Sequence, residues 1–145
     1  MFTQFLYTDD SKSTLLIRLM VGIVFLSEGM QKYLFPALRG VGRFETIGLP
    51  SPEFLAYFVG AFEIICGILV LIGLFTRLSA IPLITIMIVA ISTTKIEILL
   101  DKGFWEMMHA ARTDFSMLLG SIFLFIKGGG FWSLDLICFG SGKKR

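Results

Sequence analysis

The sequence predicts an all-α protein that sits in a membrane as a four-helix antiparallel bundle. Three observations lead there. Hydrophobic residues fill 55% of the 145 positions and charged residues only 17%, with a mean hydropathy of +0.82. A soluble domain this small has too few polar groups in such a composition to cover its surface. Four apolar segments also approach the roughly 20 residues that a helix needs to cross a bilayer core of about 30 Å. Finally, Pro and Gly clusters fall between those segments rather than inside them. Disorder, collagen-like repeats and a secreted disulfide scaffold are excluded on the same grounds.

The first span is expected at 14–35, with Arg18, Glu28 and Lys32 inside it and Pro36 closing it. A long connection over 36–52 carries Gly, Phe and Ile and is expected to fold back on the membrane surface. Pro50-Ser-Pro52 then turns the chain into the second span, 53–74, with Ser51 at the capping position and Glu63 as its interior charge. Gly73 and Thr76-Arg77 mark a tight hairpin to the third span, 78–99, which is uncharged from Leu78 to Thr94 and has Pro82 in its first turns. The fourth span, 106–127, opens with His109, Arg112 and Asp114 and ends at Gly128-Gly-Gly130. Residues 1–145 form a single membrane domain in this reading, and no internal repeat is convincing.

Charge and cysteine content narrow the function classes. A net charge of +2, with no basic run interleaved with aromatics, argues against nucleic acid. Cys66 and Cys138 form no CxxC, and with His109 alone they make no metal site. The two thiols, one deep in the second helix and one beyond the fourth, are not expected to pair. The N-terminal stretch lacks the basic start and apolar block of a cleaved signal, so the first span is expected to remain. An even number of spans puts both termini on one side. The positive-inside rule tips that side to the cytoplasm through Arg77 and the tail Lys143, Lys144 and Arg145. Trp105 and Trp132 read as belt aromatics at opposite membrane faces.

Ionisable groups inside spans cost about 2.5–3.5 kcal/mol each on insertion scales, so each needs a reason. Glu28, Lys32, Glu63, His109, Arg112 and Asp114 all fall in the half of the bilayer away from the termini. Glu28 and Lys32 stand one turn apart, the acid first, and are expected to pair. Arg18, Gly22, Phe25, Gly29 and Lys32 share one helical stripe, and Glu63 shares another with Gly60, Cys66 and Gly67. Small residues mark close helix approach in membranes, so Glu63 is expected to face the bundle. Arg112 and Asp114 cannot both point inward from a regular helix, unless Thr113 caps a shorter one. The plainer readings make Lys95, Glu97, Lys102 and His109 interfacial and Cys66 a packing residue, with Arg18 and Arg77 as leaflet-facing anchors. For Glu28 and Lys32 a structural salt bridge and a functional role stay equally open.

The run LLIRLMVGIVFLSEGMQK, then the segment from Glu45 through Leu83, then RTDFSMLLGSIFLF and the terminal Ser133-Leu134-Asp135 resemble the DoxX family of small four-span bacterial membrane proteins. The similarity covers about 14–135. It implies a bacterial inner (plasma) membrane location and an oxidoreductase association, since the family takes its name from a subunit linked to a terminal quinol oxidase and to thiosulfate:quinone oxidoreduction. Related folds include assembly chaperones for membrane receptors. Many relatives carry histidine where this chain has Thr93-Thr94-Lys95, so a site dependent on that histidine is not expected.

The residues themselves restrict the redox reading. One histidine cannot ligate haem from both faces, no cysteine set holds an iron–sulfur cluster, and no dinucleotide loop is present. If the chain takes part in electron transfer, the redox centre is expected to be a bound quinone, ubiquinone or menaquinone, with no covalent group, or to belong to a partner. The quinone carbonyls would accept from Lys32 or Arg112 in a cavity shared with Asp114 and His109. Glu63, with Glu28, would relay protons. The chain then acts as an accessory or small subunit of a quinone-linked oxidoreductase, with the bilayer, other subunits and a second copy of itself as partners. The rival reading is a non-catalytic membrane assembly module; small-solute transport lacks broken helices or a duplicated half.

Overall fold

The computed structural model describes residues 11–139. The Lys143–Arg145 tail and the first ten residues, used above for orientation and leader arguments, lie outside the described residues. Helix α1 runs Ser13–Leu34 and stops where Phe35, forced out of the helical region by Pro36, adopts φ −128° and ψ 60°. The connection beyond it forms two short helices, α2 (Pro36–Arg39) and α3 (Val41–Ile47), and α3 packs on the helix that follows. That helix, α4, spans Pro52–Ile72; Ser51 precedes it in a left-handed conformation and makes no capping bond from its side chain.

Gly73 (φ 68°) ends α4. Its N–H reaches the Val70 carbonyl and the next N–H reaches Leu69, which satisfies two carbonyls that the helix end leaves open. Helix α5 covers Thr76–Lys102 and α6 covers Phe104–Lys127, with only Gly103 between them. Both extend past the expected ends, because the stretch around Glu97 to Lys102 holds good helix formers and only Gly103 interrupts it. Pro82 thus sits inside α5 rather than in its first turn, and Thr113 is interior to α6. A short α7, Leu134–Phe139, follows the Gly-rich exit.

The four long helices close a ring in which α1 packs on α4, α4 on α5, α5 on α6 and α6 on α1. Val21 and Phe25 of α1, Val70 of α4, Leu83 of α5, and Met117 and Leu124 of α6 meet in the core. Large apolar side chains such as Leu16, Ile23, Phe54, Ile65, Ile88 and Ile126 face outward, the surface of a lipid-facing bundle. Helices α1, α4 and α5 are long and apolar enough to cross a membrane. Helix α6 matches them in length but carries Glu106, Arg112 and Asp114 in its first half. The protein is an all-α membrane bundle. Both described ends lie together, since the Phe131 N–H donates to the Ser11 carbonyl at 3.2 Å.

Lipid tails are as apolar as leucine, so helices here associate by close packing rather than by hydrophobic exclusion. The α1–α4 contact shows how. A Cβ placed on Gly29 would stand 2.8 Å from the Gly60 carbonyl oxygen and 2.9 Å from the Ile64 nitrogen. The Gly22 and Gly67 backbones approach in the same way two turns along. Replacing Gly29 by Ala should therefore destabilise the bundle by about 1–3 kcal/mol. The check is the thermal unfolding midpoint in detergent micelles, and an unchanged midpoint would exclude a backbone-limited approach at Gly29.

Candidate functional site

The small-residue stripes bring Lys32 of α1 and Glu63 of α4 face to face. Gly29 and Gly60 let the two backbones approach, and the Lys32 Nζ then reaches Glu63 Oε2 at 2.6 Å. The side chains are 9% and 3% exposed, so the pair is sealed inside the bundle. The expected partnership of Lys32 with Glu28 is therefore corrected. Glu28 is half-buried one turn earlier and makes no ion pair or side-chain hydrogen bond among the described residues. The reason is cost: Glu63 has no other cation in reach, and a buried carboxylate without one is far more expensive than a half-exposed Glu28.

The other sequence candidates lie elsewhere. Asp114 turns toward α5 and pairs with Lys95 at 2.9 Å, a half-buried bridge across the α5–α6 hairpin. Arg112, two residues earlier, is exposed and donates to the carbonyl of His109 on its own helix at 2.7 Å. The His109 side chain is exposed as well. The six candidates thus separate into one buried pair with Glu28 beside it, one interhelical bridge, and two outward-facing residues.

Sequence reasoning missed a second polar cluster at the opposite end of the bundle. Arg18 is not a leaflet-facing anchor; it is 2% exposed. Its guanidinium donates to five carbonyls: Val70 at 3.0 Å and Leu71 at 2.7 Å at the C-terminus of α4, and Gly129, Phe131 and Trp132 in the exit loop at 2.9–3.1 Å. A cation at a helix C-terminus meets the negative end of the dipole and the open carbonyls together. Asp135 does the converse for α5. Its carboxylate accepts from the N–H groups of Phe75 at 2.7 Å and Thr76 at 2.9 Å, while its own N–H donates to Gly73 at 2.8 Å. The signal for Arg18 was its place on the stripe of Gly22, Gly29 and Lys32. Nothing in the sequence marked Asp135 as a cap for a helix 59 residues earlier.

Cys66 is buried and Cys138 exposed, and both are free thiols. Among the described residues no group of His, Cys, Asp and Glu has the arrangement of a metal site. An open groove of about 580 Å³ runs along the α4–α5 seam between apolar walls.

A small helical membrane protein with one sealed ion pair and a carbonyl-caged arginine is the class this architecture defines. The chain belongs to the DoxX family: the family model matches residues 13–96. It is 52% identical over 136 residues to "Uncharacterized membrane protein Rv3486" of Mycobacterium tuberculosis, covering 90% of this chain and 83% of that one. It is 39% identical over 133 residues to "Putative oxidoreductase CatD" of Bacillus subtilis, covering 91% of this chain and 90% of the other. No solved structure matches the chain significantly.

Two outcomes are expected from these clusters, both read as thermal midpoints and denaturation free energies in detergent. Arg18→Lys leaves three donors for five acceptors and should cost about 3 kcal/mol or more; a near-neutral change would mean the cage carries no load. Lys32→Met should cost about 3–5 kcal/mol, and Lys32→Met with Glu63→Met should recover most of it, because the penalty is the unpaired charge. A double variant no better than the single one would contradict that account.

Proposed function

We propose that the chain is an accessory subunit of a quinone-linked oxidoreductase in the bacterial inner membrane, and that Lys32, Glu63 and Glu28 form its proton-handling element. The observation that carries this reading is the sealed Lys32–Glu63 contact at 2.6 Å with a second carboxylate one turn away. A buried ion pair is weak evidence for stability and is often replaceable by apolar residues. Its presence in a membrane span therefore points to use. The name of the Bacillus subtilis relative supports oxidoreductase chemistry. Four crossings, cytoplasmic termini, contact with other subunits and self-association belong to the same proposal.

A quinone, when bound, supplies the two-electron carrier, and the electrons come from a partner subunit. The chain's own groups manage charge. When Glu63 takes up a proton, Lys32 loses its counter-ion in a low-dielectric site. Glu28, at the favourable i,i+4 spacing, then offers Lys32 a replacement carboxylate. Release of the proton returns Lys32 to Glu63. The ammonium therefore swings between two carboxylates while never remaining unpaired. Lys32 is committed to these partners and Arg112 faces outward, so neither serves as the quinone head-group donor in this scheme.

A non-catalytic assembly module is the second reading, favoured by the way Lys32 and Glu63 satisfy each other. Glu63→Gln separates the two. Glutamine keeps an acceptor for Lys32 and leaves Glu28 to take its charge, so the variant should fold with a midpoint near that of the parent. Membranes from a deletion strain carrying Glu63→Gln should nevertheless lose most quinol-dependent electron transfer, with Glu28→Gln giving a smaller loss. Full transfer rates in a stable Glu63→Gln protein would refute the proton-handling role and favour assembly.

A further inference from the structure

The seam between α4 and α5 holds a feature that neither the ion pair nor the Arg18 cage uses. The groove there extends from Phe75, at the start of α5, as far as Ile86, a rise of about 16 Å. Phe58, Phe62 and Cys66 contribute one wall; Leu78, Ser79 and Pro82 contribute the other. No charged side chain is among the described residues that line it. The Phe58 and Phe62 rings stand one helical turn apart with centroids 4.9 Å from each other.

Ser79 is the telling residue. It is 3% exposed, and its hydroxyl has no hydrogen-bond partner among the described residues. Elsewhere on α5, Thr85, Ser92, Thr93 and Thr94 each donate to the carbonyl four residues back. That back-bond is the default for a hydroxyl in a helix. For Ser79 the carbonyl four residues back belongs to Phe75, which lies outside the helix in a left-handed conformation (φ 49°). No water relieves an orphan donor in hydrocarbon. Pro82 adds the complementary group, because it supplies no N–H to the Leu78 carbonyl.

We propose that this groove binds the head group of a lipid-soluble quinone, entering sideways from the bilayer, with the Ser79 hydroxyl donating to a ring carbonyl. The inference rests on the quinone-linked reading and gives it a location. An uncharged lining fits a neutral ligand and leaves a phosphate without a partner. The Phe58 and Phe62 rings offer flat apolar surface to a planar ring. A plain acyl chain brings no acceptor for Ser79, whereas a quinone brings one at each end of its ring. The reduced form brings hydroxyls that the Leu78 carbonyl accepts. Ser79 lies one turn into α5, so the hydrogen-bonding end sits near the membrane face and the isoprenoid tail runs toward Ile86.

The test uses the full chain in detergent, with decylubiquinone and a short-tailed menaquinone as probes and equilibrium binding as the measurement. Ser79→Ala should weaken binding about five- to tenfold, the value of one hydrogen bond. Its thermal midpoint should stay level or rise, since the change removes an orphan donor. Ile65→Trp, which fills the groove from an exposed position, should abolish saturable binding. Equal affinity in all three proteins overturns the proposal, as does a co-purifying phospholipid in the groove that neither quinone displaces. Serine-dependent binding with full electron transfer in Glu63→Gln upholds the groove and removes the proton-handling role. Loss of transfer in Glu63→Gln with binding indifferent to Ser79 and Ile65 removes the groove alone.

Discussion

The Arg18 guanidinium is the contact on which the rest of the bundle depends. An arginine buried in a membrane helix is tolerable only if its guanidinium is hydrogen-bonded, and here five backbone carbonyls accept from Nε, Nη1 and Nη2. Those acceptors belong to segments 52 and 111 residues away in sequence. Apart from Val70, which also takes the Gly73 N–H, they lie where a helix end or a turn leaves carbonyls open, and the bilayer offers no water in place of a partner. One cation therefore meets the needs of two chain reversals. Asp135 completes the arrangement from the same exit loop by giving the start of α5 an acceptor. Phe75 and Trp132 both sit at positive φ, 49° and 53°, where a bulky residue is strained. The Asp135 carboxylate holds the N–H of the first and Arg18 holds the carbonyl of the second, so surrounding bonds stabilise both conformations.

Lys32 lies on the same stripe as Arg18, fourteen residues further along α1, about 21 Å away. The two cations solve burial in different ways. Arg18 is surrounded by carbonyl dipoles that cannot gain or lose protons, so its environment is fixed. Lys32 meets a carboxylate, and a second carboxylate stands within one turn. Only the latter arrangement has two states of similar character. The terminal end of the bundle thus ties two chain reversals together, and the far end holds a buried ammonium–carboxylate pair.

Much of this was legible in the residues. The α1 stripe and the α4 stripe around Glu63 follow from helical period and small-residue spacing, and both are buried as a set. The partner of Lys32 was not legible, because Glu28 competes locally and nothing in the order of residues ranks it against a carboxylate 31 positions away. Arg18 was misread for a related reason. Its acceptors are carbonyls, which every residue carries, so no side-chain pattern announces them. Thr76-Arg77 marked the turn before α5, but the cap was not legible: Phe75 at the capping position brings no side-chain acceptor, and Asp135 supplies one from the far end of the chain. Arg112 and His109 were grouped with the buried pair by depth alone, and depth does not fix which way a side chain faces.

Packing also explains why a groove opens where it does. Helix α1 meets α4 through Gly22, Gly29, Gly60 and Gly67, and α6 meets α1 through Gly120. Helix α5 contains no glycine, and its row of Ile, Val and Thr side chains holds a neighbour at a distance. The α4–α5 seam is therefore less closely packed than the α1–α4 seam, and Pro82 weakens the helix ladder at the same level. At the terminal end that seam cannot part, because Arg18 binds the last turn of α4 and Asp135 binds the first of α5 through one loop. Any widening must occur beyond the clamp, along the stretch from Ser79 toward Ile86. That stretch is lined by the Phe58 and Phe62 rings and by Ser79, whose buried hydroxyl has no partner among the described residues, and it lies apart from the contacts that keep the bundle closed.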